Sequence, residues 1–258
     1  MLRHVTSPDG VRIACEESGS GPPLVAVHGA GSARWSFDLL RPRLEDRFTV
    51  IAIDRRGRGD SSDGEGYELK REFEDVAAVV RAAGDGTLLV GHSYGALIAA
   101  GAAQLLDGLP RLALYEPPMG GVLAREELIE RWERLIADGE RDLMIREFFR
   151  EVAGYSEEEI DELARSPVWE RRKRVSPTLP RELRAELRFQ LDPAALRRIS
   201  APTLLLLGSE SPDWARRSTD AYSADIPHAE VRILAGQGHG ATSGAPELLA
   251  AELARFLG

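Results

Sequence analysis

The segment Leu88-Leu89-Val90-Gly91-His92-Ser93-Tyr94-Gly95 runs directly into Ala96-Leu97-Ile98-Ala99-Ala100, and this junction constrains the chain more than any other feature. Leu88–Val90 is a short apolar run of the kind that forms a strand buried on both faces. Ala96–Leu106 is rich in Ala and apolar nearly all round, as a helix packed into a core must be. Only a sharp turn fits between them. A Gly-x-Ser-x-Gly sequence makes such a turn: the serine takes strained backbone angles, and the positions two before and two after it must lack bulk. Gly91 and Gly95 supply the space. The helix start beyond Ser93 adds free N–H groups and a positive dipole end, suited to a developing oxyanion. Ser93 is therefore a candidate nucleophile. The pentapeptide alone is common, and its strand–turn–helix setting carries the inference. His92 points the wrong way for a base and reads as a packing residue.

The remaining chain alternates in the same manner. Ser7-Pro8-Asp9-Gly10 is a turn before the alternating Val11–Cys15, which predicts a hairpin. Short apolar runs follow at Leu24–Val27, Val50–Ile53, Leu112–Leu114, Leu204–Leu207 and Val231–Leu234, each read as a strand buried on both faces. Helical spacing groups Phe37, Leu40 and Leu44, then Phe73, Val76, Val79 and Val80. Pro246 opens a last amphipathic helix carrying Leu249, Leu253 and Phe256. Strands alternating with helices predict an α/β fold with a mainly parallel eight-stranded sheet and right-handed crossovers.

The alternation stops between Pro117 and Gln190. That stretch holds no convincing strand and reads as several amphipathic helices, one beginning at the Ser156-Glu157-Glu158-Glu159 capping box. The expected organisation is a core of residues 1–116 and 191–258 interrupted by a helical cap, 117–190, over one end of the sheet. Cap side chains such as Trp132, Met144, Phe148 and Trp169 are expected to line an apolar pocket. The basic run Arg171-Arg172-Lys173-Arg174 is flanked by acids and reads as a solvated helix face rather than an anion site.

Composition narrows the function classes. The 258 residues carry 33 basic and 42 acidic side chains, a net charge of −9, which argues against a broad nucleic-acid surface. No apolar run reaches the ~18–20 residues of a membrane helix. The first residues lack the layout of a signal peptide, so a cytoplasmic enzyme is expected. Cys15 is the only cysteine, which excludes an intrachain disulfide and a cysteine-based zinc site. Neither metal-ligand spacing nor a phosphate-binding glycine loop emerges, so the expectation is an enzyme without metal or cofactor. Nothing in the sequence specifies or forbids a homo-oligomer.

Over nearly its whole length the chain resembles the α/β-hydrolase family. His28-Gly29-Ala30-Gly31 looks like that family's oxyanion loop, and the resemblance implies that the Ala30 and Tyr94 amides hold the oxyanion. Asp54-Arg55-Arg56-Gly57-Arg58-Gly59-Asp60-Ser61 is similar to the family's Asp-x-x-Gly-x-Gly-x-Ser loop, which is mostly structural, so Asp54 and Arg55 are left out of catalysis. Ala235-Gly236-Gln237-Gly238-His239-Gly240 stands where the family keeps its catalytic histidine. His239 is the expected base, since His28 and His92 belong to other motifs and His4 and His228 to surface positions.

The acid stays open. Family members commonly carry Asp three residues beyond the Gly that ends the seventh strand, and here Ser211 occupies that spot. A second arrangement, familiar from haloalkane dehalogenases, puts the acid at the end of the sixth strand, where this chain has Glu116. Glu210 and Asp213 are the rivals. A serine nucleophile argues against the dehalogenase and epoxide-hydrolase branches. The resulting expectation is a cofactor-independent serine hydrolase for small to medium hydrophobic esters or lactones, acting through an acyl-enzyme. A C–C bond hydrolase, a perhydrolase, a lyase or a non-catalytic binding protein on the same scaffold remain as alternatives.

Overall fold

A computed structural model describes all 258 residues. Strands β1 (Leu2–Thr6) and β2 (Arg12–Gly19) form the predicted hairpin, pairing antiparallel across Val5 and Ile13. Four parallel strands follow: β3 (Pro23–Val27), β4 (Thr49–Ile53), β5 (Leu88–His92) and β6 (Leu112–Tyr115). Two more parallel strands, β7 (Thr203–Gly208) and β8 (Ala229–Leu234), complete an eight-stranded sheet of order β1-β2-β4-β3-β5-β6-β7-β8. The order reverses between β3 and β4, so β5 lies in the middle of the sheet. Its residues Leu88, Leu89 and Val90 are buried, as an apolar run without alternation requires.

Helices cover both faces. After β4 comes α1 (Leu69–Ala83), and α2 (Tyr94–Ala103) begins directly after Ser93 with all ten residues buried. Between β6 and β7 lie α3 (Glu126–Ala137), α4 (Arg141–Glu151), α5 (Glu157–Ala164), α6 (Val168–Val175), α7 (Leu179–Arg188) and the single turn α8 (Pro193–Leu196). Residues 117–190 contain no strand. The capping box starts α5 as read, with the Ser156 hydroxyl accepting from the Glu159 amide and the Glu159 carboxylate from the Ser156 amide. Helix α9 (Asp213–Asp225) follows β7, and α10 (Ala241–Gly244) and α11 (Pro246–Leu257) follow β8.

Two local expectations fail. Phe37, Leu40 and Leu44 are buried together, but Phe37 ends one short 3₁₀ turn, Arg34–Phe37, and Leu40 and Leu44 flank another, Arg41–Arg43, rather than sharing one helix. Pro42 has no N–H to donate and blocks a continuous ladder. Strand β8 is not buried on both faces: it closes one edge of the sheet, and Val231 and Ile233 stand 42% and 51% exposed.

Helix α1 buries charge beside its predicted apolar stripe. Glu72 and Asp75 are nearly inaccessible, paired with Arg55 and Arg56 of the loop after β4. Arg55 also reaches Glu182 of α7 at 2.7 Å, and Arg58 pairs with the same carboxylate. Single removal of one member would leave a buried charge uncompensated, a cost of about 3–5 kcal/mol. The loop set aside as structural thus anchors α7 to the core.

Candidate active site

Ser93 lies between β5 and α2 at φ 55° and ψ −127°, a backbone region that L-residues avoid. The two glycines around it are dictated by contact. A Cβ on Gly91 would come within 2.4 Å of the Gly95 carbonyl oxygen, and one on Gly95 within 2.3 Å of the Val27 carbonyl oxygen. The serine amide donates to Tyr115 O at 2.8 Å, which locks the turn to the adjacent strand. Residue 116 begins where β6 ends, so the sheet's own register sets Ser93 beside Glu116.

The structure brings Ser93, His239 and Glu116 into one hydrogen-bonded line. The Ser93 hydroxyl donates to His239 Nε2 at 2.9 Å, and His239 Nδ1–H donates to Glu116 Oε2 at 2.5 Å. Glu116 is wholly buried, Ser93 7% and His239 9% exposed. Glu116 also has a positive φ of 50°. Its second oxygen, Oε1, accepts from the Gly208 amide at 2.8 Å and from Ser211 Oγ at 2.5 Å. Three donors satisfy a carboxylate that would otherwise be costly at this depth. Of the rival acids, Glu210 and Asp213 are both exposed, and neither pairs with His239. Ser211, which stands where the usual acid is missing, instead donates to Glu116, which comes from another strand.

The loop bearing His239 is held by His92, read above as a packing residue, and by Tyr115 and Trp214, to which the sequence pointed no role. His92 stacks on Tyr115 with ring centroids 4.9 Å apart, and its Nε2–H donates to the His239 carbonyl at 2.9 Å. Burial drives the His92 pKa down to about 3, so the ring is neutral and keeps that donor at physiological pH. The Tyr115 hydroxyl donates to the Gly238 carbonyl and accepts from the Ala241 amide. Trp214 of α9 meets the His239 ring edge-on at 5.1 Å. Burial, aided by the neighbouring Arg55 charge, holds His28 well below its ordinary pKa, while His4 and His228 are exposed.

A small cavity of about 60 Å³ opens over Ser93. Ala30 lines it, and Tyr94 is the first residue of α2, whose amide lacks an intrahelical acceptor. The cavity wall is mixed rather than apolar. Phe148, Phe149, Val152 and Leu123 share it with Ser36, Tyr155 and Arg172. Of the four pocket residues expected from the cap, only Phe148 lines it. Trp132, Met144 and Trp169 are buried among the helices between β6 and β7, where Trp132 packs edge-on against Phe148 and Trp169 lies beside Phe149. Trp132 also donates from Nε1 to Glu147 at 3.1 Å. Trp132→Ala is accordingly expected to destabilise the protein by about 3–5 kcal/mol while leaving the ranking of acyl-chain lengths intact. Urea unfolding and an ester series measured on the same variant check both halves.

The basic run also departs from its reading. Arg171 and Arg174 are exposed and Lys173 pairs with Glu170, as a solvated face would have it. Arg172 instead turns into the cavity. Its helical phase carried a signal: Trp169 and Ser176, three residues before and four after, are both buried.

No helix is long and apolar enough to cross a membrane. The chain resembles a crystal structure of an alpha/beta hydrolase from Sphaerobacter thermophilus at 36% identity, with TM-score 0.87, over 99% of this chain and all of that one. An esterase from Rhodococcus sp. ECU1013 shares the fold at 22% identity and TM-score 0.79, over 99% of this chain and 98% of that one. A curated relative, 2-(acetamidomethylene)succinate hydrolase of Mesorhizobium japonicum, is 41% identical over 103 residues. That match spans 39% of this chain and 37% of the relative's length. The model of the alpha/beta hydrolase family matches residues 24–252, from β3 into the last helix. With that match running through the sheet, the turn at Ser93 and the loop of His239 alike, the chain belongs to the alpha/beta hydrolase family.

Proposed function

We propose that the protein is a serine hydrolase that cleaves carboxylic esters or lactones through an acyl-enzyme on Ser93, without a cofactor. The observation that carries this reading is the unbroken hydrogen-bonded line from the Ser93 hydroxyl through His239 to buried Glu116. In this reading His239 Nε2 takes the hydroxyl proton as Oγ attacks the ester carbonyl. The Ala30 and Tyr94 amides receive the oxyanion, each such donor being worth about 10²–10³ in rate. Collapse expels the alcohol, which takes the proton back from His239. Water then repeats the sequence on the acyl-enzyme and releases the acid. Glu116 keeps the imidazole in the tautomer with Nδ1–H and stabilises the imidazolium that forms in each half. Residues 117–190 act as a cap in this scheme, because α4 and α6 supply Phe148, Phe149 and Arg172 to the cavity over Ser93.

Cavity size sets the expected selectivity. A void of about 60 Å³ holds a short acyl group, and longer chains require the cap wall to move. Hydrolysis of p-nitrophenyl esters from acetate to long acyl chains is the test. Sustained turnover with a preference for the shortest chains is expected. Absence of p-nitrophenol release across the series would remove the ester reading.

A further inference from the structure

We infer that the cavity over Ser93 contains a carboxylate-binding subsite formed by Arg172 and Ser36, so that the substrate carries a carboxylate close to its scissile carbonyl. The inference rests on the hydrolase reading above and names its substrate class. Arg172 has no ion pair with any Asp or Glu of the chain, although the arginines around it do: Arg146 with Asp142, Arg150 with Glu157, Arg181 with Asp63. Its one hydrogen bond runs from Nη1 to the Gly31 carbonyl at 3.1 Å, on the loop that bears Ala30. Its Nε is buried with no acceptor, and so is the hydroxyl of Ser36, which lines the same cavity. The guanidinium carbon lies 4.7 Å from the Phe149 ring and 5.1 Å from the Trp35 ring.

Each contact bears on what is missing. Aromatic faces stabilise the charge of a guanidinium but accept none of its N–H donors. Desolvation without a counter-charge lowers the Arg172 pKa to about 10, which still leaves the group cationic at neutral pH. Beyond Arg172, the ionisable groups on the cavity wall are His92, His239 and Tyr155, so no anion of the protein faces it there. A part-buried cation whose buried Nε is unfilled, beside a second buried unfilled hydroxyl, is costly to leave without a partner. A neutral ester gives little in return, because its carbonyl oxygen is already assigned to the Ala30 and Tyr94 amides. A carboxylate supplies a full charge and two acceptor oxygens, which suit the planar donor fork of arginine. Gly31 O holds that fork beside the oxyanion loop, so the bound carboxylate belongs to the same small molecule as the carbonyl under attack.

The test compares monomethyl succinate with dimethyl succinate, and measures succinate binding to Ser93→Ala protein by calorimetry. Wild-type kcat/KM is expected to favour the monomethyl ester about 10- to 100-fold, the factor that a charge-assisted hydrogen bond carries. Arg172→Met should lower that preference at least tenfold, with Arg172→Lys falling between, because a lysine keeps the charge but loses the fork. Should Arg172→Met not fold, Ser36→Ala serves in its place and should narrow the preference by a smaller factor. Succinate should bind the Ser93→Ala protein and lose its affinity when Arg172→Met is added. A wild-type preference for the dimethyl ester, or an equal loss on both esters in Arg172→Met, overturns the subsite. Hydrolysis of neither ester, with succinate still bound through Arg172, would instead count against the ester chemistry and leave the subsite standing.

Discussion

Ser93→Ala is expected to abolish p-nitrophenyl acetate turnover, with a loss on the order of 10⁶ in kcat, while the protein stays folded. The methyl group of alanine occupies the Cβ position that serine already fills at φ 55°, so neither the turn nor the contacts across Gly91 and Gly95 have to move. What is lost is the only oxygen that His239 Nε2 touches at 2.9 Å. Rapid quenching followed by intact-mass analysis should find one acetyl group on the wild-type chain and none on the variant. Residual activity from the oxyanion amides and binding survives such a deletion at about 10³–10⁴ over water. Turnover within tenfold of wild type would mean that another group attacks.

The same position gives a stability result of opposite sign. A non-glycine residue in this backbone region is strained by about 1–3 kcal/mol, and alanine retains that strain. Ser93→Gly relieves it at the expense of extra freedom in the unfolded chain. The glycine variant should therefore unfold at a higher temperature than the alanine variant, although both are inactive. Strain held at Ser93 would then register directly as stability given up for geometry.

Legibility in the sequence followed the range of the interactions concerned. Strands β3 to β7 announce themselves because burial on both faces writes an unbroken apolar run, and the turn at Ser93 because sterics demand Gly91 and Gly95. Strand β8 was read with them, yet Glu230 and Arg232 interrupt its apolar run, and at the sheet's edge it is half exposed. The spacing of Phe37, Leu40 and Leu44 predicts one helix, but Pro42 between the two leucines breaks it into 3₁₀ turns. The choice among Glu116, Glu210 and Asp213 stayed open because the surroundings of Glu116 are assembled from three distant places: β6, the end of β7 and the loop after β8. Gly208 lies 92 residues from Glu116 and His239 lies 123. Arg172 was hidden differently. Within a run of four basic residues, charge says nothing about which one faces inward, and only the phase set by Trp169 and Ser176 distinguishes it.

Glu116→Gln should lower kcat by about 10³–10⁴, near the effect of the comparable change in a serine-protease triad, whereas Glu210→Gln should remain within a factor of two or so of wild type, as exposed substitutions generally do. The glutamine preserves volume and one acceptor oxygen, so the variant folds. It removes the charge that stabilises the imidazolium, and its NH₂ either opposes His239 Nδ1–H or forces the other tautomer, which takes the acceptor lone pair away from Ser93. Ser211 makes a sharper test possible. Its hydroxyl sits 2.5 Å from Glu116 Oε1, and aspartate is one atom longer than serine, so an Asp at 211 reaches into the space a truncated residue 116 would vacate. In the Glu116→Ala background, Ser211→Asp should restore at least about tenfold of the lost kcat by supplying the imidazolium with a charge again. Introduced alone, Ser211→Asp should do harm. Two carboxylates against one another cannot both ionise at ordinary cost, and the pair would retain a proton to higher pH. Its activity at neutral pH should then fall below wild type and recover in part as pH rises. No rescue in the double variant, with Glu210→Gln costing more than Glu116→Gln, would transfer the acid's role to the loop after β7.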